Sequence, residues 1–349
     1  MDFDSAHFSF KETDEPVAIA EVGVNHNCDM DIAHKMVHAA QDAGAHIIKF
    51  QSFVSEEEIS VYADKAEYQK ETTGDAGGQL EMAKALELTP DQLKDLRAYC
   101  HKVQAPFLCT AFESISLDLI VRQMGVKSVK IASSEVTNHP FLKEIAETGV
   151  GIIISTGASN LEEAGDALKV LQQAGAEEIL MLHCVSQYPA VMEQINLRAM
   201  HTMREAFGIP IGYSDHTAGF EAPIAAAALG ARAVEKHFTL DRNMEGPDHR
   251  ASIEPDELAI MVRGMKMAHQ AIGDGIKKPV ACEEANRTLI RKAIVARRPF
   301  PAGHVIRYED VAFKRPVNGI EPFDWDKVEG KALKEAVETD QPLQWELLG

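Results

Sequence analysis

Cysteine is sparse in this sequence. There are five in 349 residues, Cys28, Cys100, Cys109, Cys184 and Cys282, with no CxxC or CxxxC pair. An odd count cannot close into a full set of bridges, so reduced thiols of the cytosolic kind are expected. Positive charge is also short: 35 Lys and Arg stand against 54 Asp and Glu, a formal net charge of −19. A chain of that sign repels nucleic-acid phosphates and anionic lipid, so neither is expected as a general partner. Any anionic ligand then requires positive charge gathered at one place. No stretch approaches the roughly 18 consecutive apolar residues of a membrane span. Met1 to Pro16 is acidic and lacks the basic start and apolar core of an export signal, so a cytoplasmic protein is expected. Gly-rich phosphate loops of the GxGxxG or Walker type are missing as well.

What is there is ample core material, with 45% hydrophobic and 26% charged residues. From Val17 to about Ile272, short β-branched runs alternate with stretches of helical apolar spacing, the pattern of repeated βα units. The runs are Val17–Gly23, His46–Phe53, Pro106–Phe112, Ser128–Glu135, Val150–Gly157, Glu178–Val185, Ile209–His216 and Ala233–Leu240. Helices are predicted between them, among them Ile32–Ala43, Asn160–Gln173 with Asn160 as cap, and Pro255–Gln270. Eight units in this length point to a (β/α)8 TIM barrel rather than an open doubly wound sheet. The longest connection, Val54 to about Thr89, holds a polar Gly-rich run from Glu71 to Gly78, placing it over the active face. The expected organisation is a barrel over residues 1–275, a linker over 276–284 and a small β-rich domain over 285–349. In the last, Ala293–Ala296, Gly303–Ile306, Val311–Arg315 and Ala332–Val337 read as short strands or turns.

Barrel catalysts project from the C-terminal ends of the strands, and here those ends are polar. In order they carry Glu21, Lys49 with Gln51, Thr110, Lys130 with Ser133 and Ser134, Ser155 with Thr156, His183 with Ser186 and Tyr188, Ser214 with His216, and Glu235 with His237. A core built only for stability avoids such groups, because a buried unpaired polar group costs roughly 1–3 kcal/mol. Lys49 and Lys130 with the hydroxyls of Thr110, Ser133, Ser155, Ser186 and Ser214 suit a phosphate-bearing anion. Any one serine alone reads as a turn or cap hydroxyl; the ring of them does not. His216 and His237, at the ends of adjacent strands, can reach one divalent cation and leave positions open for water and substrate oxygen. Taken alone, such a pair is more often two satisfied polar residues than a metal site. His34 and His38 have helical i, i+4 spacing and read as a solvated helix face, and Cys184 reads as a small buried hydrophobe.

The ordered set Ile19-Ala-Glu-Val-Gly-Val-Asn-His26, Ile48-Lys-Phe-Gln51, Lys130-Ile-Ala-Ser-Ser-Glu135, Ser155-Thr-Gly157, Leu182-His-Cys184 with Tyr188-Pro189, Gly212-Tyr-Ser-Asp-His-Thr217, Glu235-Lys-His-Phe-Thr239 and Gly246-Pro-Asp-His249 resembles the N-acetylneuraminate (sialic acid) synthase family, which includes legionaminate and related nonulosonate synthases. Arg297–Gly303 and Phe313-Lys-Arg-Pro316 resemble that family's C-terminal antifreeze-like (SAF) domain. The resemblance implies a metal-dependent condensation of phosphoenolpyruvate with an open-chain N-acetylated amino sugar, N-acetylmannosamine or a diacetamido relative, giving a nonulosonic acid and phosphate. It implies Mn2+, with Mg2+ or Co2+ as alternatives, on His216 and His237, and Glu21 as the group managing water attack or proton transfer. Lys49, Thr110, Lys130, Ser133, Ser155, Ser186, Tyr188 and Ser214 would grip phosphoenolpyruvate. Gln51, Glu135 and Asp248 would hold the sugar, with Arg315 reaching in from the partner chain of a domain-swapped homodimer. Two positions depart from the family pattern on the sugar side. Val317 stands where a glycine is usual in the Arg-Pro-Gly-x-Gly tail motif, and Thr72 lies where many relatives carry Asn. The competing readings are a barrel synthase acting on a phosphorylated sugar aldehyde and a non-catalytic saccharide-binding protein of surface polysaccharide assembly.

Overall fold

The structure is a computed structural model that describes residues 15–66, 69, 70, 72, 78–315 and 318–349. Val317 and most of the Glu71–Gly78 run lie outside the described residues. The chain divides into two compact units between Gly273 and Asp274.

The first unit is a closed barrel of eight parallel strands in sequential order, β1 to β8. They run Val17–Gly23, Ile47–Ser52, Phe107–Ala111, Ser128–Ile131, Gly151–Ser155, Ile179–Cys184, Ile211–Asp215 and Ala233–His237. Most of these runs are buried on both faces, as parallel strands under helices must be. Side-chain alternation divides their apolar residues into two cores. Val17, Ile19, Ile47, Leu108, Ile153, Leu180, Leu182 and Ala233 fill the lower barrel interior. Their neighbours, such as Ala18, Ala20, Ile48, Ile152, Ile154 and Met181, face outward into the larger core beneath the helices.

Strand register does the rest. Glu21 pairs with Lys49, Thr110 with Lys130, and Ser214 with Glu235, so inward residues one step above the apolar plug form a single polar layer. The fourth strand ends at Ile131, not at Glu135: Ala132 begins a turn and Ser133–Glu135 is a 3-10 helix, which swings Ser133 across the strand end. Helix starts follow capping chemistry. The Asn160 side chain accepts from the backbone N–H groups of Glu162 and Glu163 and caps Leu161–Gln173. The described part of the long second connection includes the short helices Ser55–Glu58 and Gln79–Lys84.

In the second unit β9 (Ala293–Ala296) pairs antiparallel with β10 (Val311–Lys314) around a core that includes Ile294, Phe300, Ile306, Val328, Leu333 and Leu343. The segments 303–306 and 332–337 are not strands. They meet other segments through single bridges, Val305 to Ala332 and Phe300 to Val337. No helix among the described residues is long and apolar enough to cross a membrane.

Candidate active site

The polar layer opens upward into a cavity of about 520 Å3 at the C-terminal face of the barrel. Of the residues singled out by sequence, Glu21, Lys49, Gln51, Thr110, Lys130, Ser133, Ser155, Ser186, Tyr188, Ser214, His216, His237 and Asp248 all line it. Glu135 does not. Its carboxylate is held by the Ser134 hydroxyl (2.8 Å) and the Asn138 amide (2.7 Å). Arg315 belongs to the second unit, where it stands exposed just beyond β10. Thr72 donates its hydroxyl to the Gln69 carbonyl at 3.2 Å.

The floor is a balanced set of buried charges. Lys49 Nζ lies 2.8 Å from Glu21 Oε2 and 3.5 Å from Glu235 Oε1, and it donates to Thr110 Oγ1 at 2.9 Å. Lys130 Nζ lies 3.9 Å from the same Glu235 oxygen and donates to the Ile131 carbonyl at 3.0 Å. Burial opposes charge on Lys49, but the two carboxylates beside it outweigh that and raise its pKa. Burial wins at Lys130, whose pKa falls because Glu235 only partly offsets it. Glu235 shows the reverse balance: Lys130 and Lys49 overcome burial and keep its carboxyl below the ordinary range. Glu21 is raised by burial, with Lys49 opposing and Glu235 adding, so it is the floor carboxyl readiest to carry a proton. Its other oxygen accepts from the Gln51 amide at 2.7 Å.

Ser155 Oγ and Glu235 Oε2 are buried without a hydrogen-bond partner among the described residues, an arrangement that a ligand with many acceptors and bridging water would complete. Beside them Ser133 Oγ accepts from the Gly157 N–H at 2.9 Å. Gly157 is required by closeness rather than by backbone angle. A Cβ there would sit 2.1 Å from Ser186 Oγ and 3.0 Å from Ser133 Oγ.

His216 and His237 face each other with ring centroids 5.4 Å apart, and the Tyr188 ring packs against His216 at 4.0 Å. His216 Nδ1 lies 2.8 Å from the Val185 carbonyl; a proton there leaves Nε2 with its lone pair. His237 Nδ1 is buried with no hydrogen-bond partner among the described residues, 3.8 Å from Asp248 Oδ2. Burial, with His216 and Lys49 adding, pushes its pKa well below the usual value and keeps the imidazole neutral, the state a metal needs. Asp248 is raised to about 6 by burial and by Glu21. Among the described residues no cluster of three or more His, Cys, Asp or Glu forms a ready metal site. A divalent cation here would be held by the two imidazoles, with substrate and water oxygens completing its shell.

Three features went unassigned in the sequence. By sequence Glu235 is a polar strand end; in the fold it is the anion bridging both lysines. Cys184, read as a packing residue, is buried but lines the cavity with Sγ 3.7 Å from His216 Nδ1. The third is an apolar wall: Val24, Phe53 and Phe112, just past the first three strands, pack with Ile59, Ala83 and Leu86 of the long connection, and all six line the cavity. The pair His34 and His38, expected as a solvated helix face, instead meets the helix Pro90–Lys102: His34, half-buried, bonds Asp95 and stacks on Tyr99, and the exposed His38 bonds the Tyr99 hydroxyl.

Fold and cavity together define a barrel enzyme with its site at the C-terminal ends of the strands. Comparison with known proteins supplies the family: residues 36–277 match the NeuB family and residues 291–349 match the SAF domain. The chain belongs to the NeuB family. It is 43% identical over 328 residues to an N,N'-diacetyllegionaminic acid synthase of Campylobacter jejuni, covering 93% of this chain and 98% of that one. It is 38% identical to the enzyme of the same name from Legionella pneumophila, with 94% and 93% covered. Among solved structures, the N-acetylneuraminic acid (sialic acid) synthetase of Leptospira borgpetersenii, in complex with citrate, superposes with a TM-score of 0.69 at 33% identity, covering 78% of this chain and 91% of that one.

Proposed function

We propose that this chain condenses phosphoenolpyruvate with the open-chain form of an N-acetylated amino sugar, releasing phosphate and producing a nonulosonic acid. The observation that carries the reading is the floor: two buried lysines sharing one carboxylate, ringed by hydroxyls, above an otherwise apolar barrel interior. Lys49 and Lys130 with Thr110, Ser133, Ser155, Ser186 and Ser214 bind and orient the phosphate and carboxylate of phosphoenolpyruvate. Its methylene carbon attacks the sugar aldehyde, forming the new C–C bond while the aldehyde oxygen takes a proton. Water adds to the oxocarbenium-like carbon, Glu21 managing the proton, and the C–O bond to phosphate breaks to leave the 2-keto acid. A divalent cation on His216 and His237, Mn2+ first among candidates, would supply Lewis acidity toward the aldehyde.

The apolar wall supports a diacetamido acceptor over N-acetylmannosamine, since two acetyl methyl groups offer more surface to Phe53, Phe112 and Leu86 than one. Gln51 and Asp248 would orient its hydroxyl and amide groups. The same reading includes a homodimer in which Arg315 serves the cavity of the partner. Sedimentation of the chain as a monomer would remove that element.

The test is phosphate release from phosphoenolpyruvate with Mn2+, offering N-acetylmannosamine and the diacetamido sugar in parallel, with a chelated control. Release with the diacetamido sugar, abolished by chelation, is expected. Release with a phosphorylated pentose or tetrose instead would transfer the reading to a different barrel synthase. Sugar binding without phosphoenolpyruvate binding would point to a non-catalytic saccharide receptor.

A further inference from the structure

Alternation along β7 and β8 sends Ser214, His216, Glu235 and His237 into the cavity and sends Asp215 and Lys236 the other way, beneath the helices. That outward layer is apolar around most of the barrel. Here it holds an ion pair with both side chains fully buried, Lys236 Nζ donating to Asp215 Oδ2 at 2.6 Å. The pair joins register partners on adjacent strands.

Apart from a bond to Tyr213 within β7, further bonds of the pair converge on the turn that carries His216. Asp215 Oδ1 accepts from the Thr217 N–H at 3.1 Å and from the Tyr213 hydroxyl at 2.7 Å, while Oδ2 accepts from the Thr217 hydroxyl at 2.9 Å. Lys236 also donates to the Thr217 carbonyl. The residues before and after His216 are thus tied to each other, and both are tied to the residue before His237. Stability alone is a poor account of this arrangement, because a buried ion pair is commonly matched or bettered by apolar residues of similar volume.

We propose that the Asp215 and Lys236 pair is a positioning device that sets the spacing of His216 and His237 and thereby the affinity of the two-imidazole site for a divalent cation. The inference rests on the reading of those histidines as cation ligands. A site with only two protein ligands depends on their separation, since metal–ligand distances tolerate only a few tenths of an ångström. Partners behind metal ligands typically set affinity by about 10–100-fold. Neither residue touches the cavity, so both act through the backbone of the histidines.

The test uses the full chain and free Mn2+ counted by its electron paramagnetic resonance signal, with circular dichroism and thermal midpoint recorded for each variant. The informative variant is the double substitution Asp215→Leu with Lys236→Met, which removes both charges together and leaves none buried alone. The expected result is a folded protein with about 10–100-fold weaker Mn2+ binding. A folded double variant that binds Mn2+ like the parent overturns the proposal. Should the double variant not fold, Thr217→Val, which keeps the ion pair and removes one of its bonds, decides the matter. Weaker Mn2+ binding at an unchanged thermal midpoint supports the proposal, and parental affinity overturns it. A parent chain that binds no Mn2+ would refute the cation reading itself, an outcome distinct from equal binding by parent and variants.

Discussion

Replacing Glu235 by Gln tests the charge balance of the floor most directly. At an effective dielectric constant of about 20, its oxygen at 3.5 Å from Lys49 and 3.9 Å from Lys130 corresponds to attractions of about 5 and 4 kcal/mol. Release of the carboxylate's own desolvation and of its repulsion with Glu21 offsets part of that sum. Removing one member of a buried ion pair typically costs about 3–5 kcal/mol. At about 2 °C per kcal/mol for a unit of this size, the thermal midpoint should fall by about 6–10 °C at pH 7 without ligand. Inorganic phosphate should then recover more of the midpoint in Glu235→Gln than in the parent, because the ligand supplies the charge the lysines have lost. The assay is scanning calorimetry of both proteins across a phosphate titration. A midpoint within about 1 °C of the parent would show that the lysines do not depend on Glu235 and that the balance argued above is wrong.

Substituting either His216 or His237 by Ala should abolish metal-dependent phosphate release and leave the circular dichroism spectrum unchanged; full activity in either variant would remove the cation from the mechanism. Gly157→Ala drives a methyl group into Ser186 Oγ and Ser133 Oγ, so the KM for phosphoenolpyruvate should rise several-fold while the KM for the sugar stays near its parental value, as steady-state kinetics would reveal. Acid sensitivity should come from His26 and His249, fully buried and each lowered to about 4 by burial. In the unfolded chain each takes a proton near pH 6.5, whereas the folded chain refuses it until about pH 4. Stability is therefore whole above pH 6.5 and is lost as pH falls toward 4, by about 3 kcal/mol for each histidine. Chemical denaturation at pH 7 and pH 5 checks this, and equal stability at the two would contradict it.

The barrel was legible because a parallel strand buried on both faces must be written as a continuous apolar run, and eight such runs recur. Even Ser128–Glu135, read as one strand, erred only where Ala132 turns the chain and brings Ser133 onto the Gly157 N–H. The small unit was harder. Segments such as 303–306 and 332–337 join through single bridges, too little pairing to impose strand periodicity on a sequence. In the site, residue types announced the lysines, hydroxyls and imidazoles, but pairing did not follow from type. Glu235 bonds across the barrel interior to residues of the second and fourth strands, a relation that exists only once the ring closes. Period-2 alternation in Glu235-Lys-His237 does put Glu235 on the face of His237 and sets Lys236 opposite, so sequence alone could have placed that carboxylate inside. The apolar wall depends on the helix at Gln79–Lys84, hidden within a connection whose polar, Gly-rich middle reads as loop. It follows that the half of the cavity built from strand ends could be read in advance, since strand register fixes it. The half built from the long connection could not, because there the side chains that meet are set by how a loop folds back on the barrel.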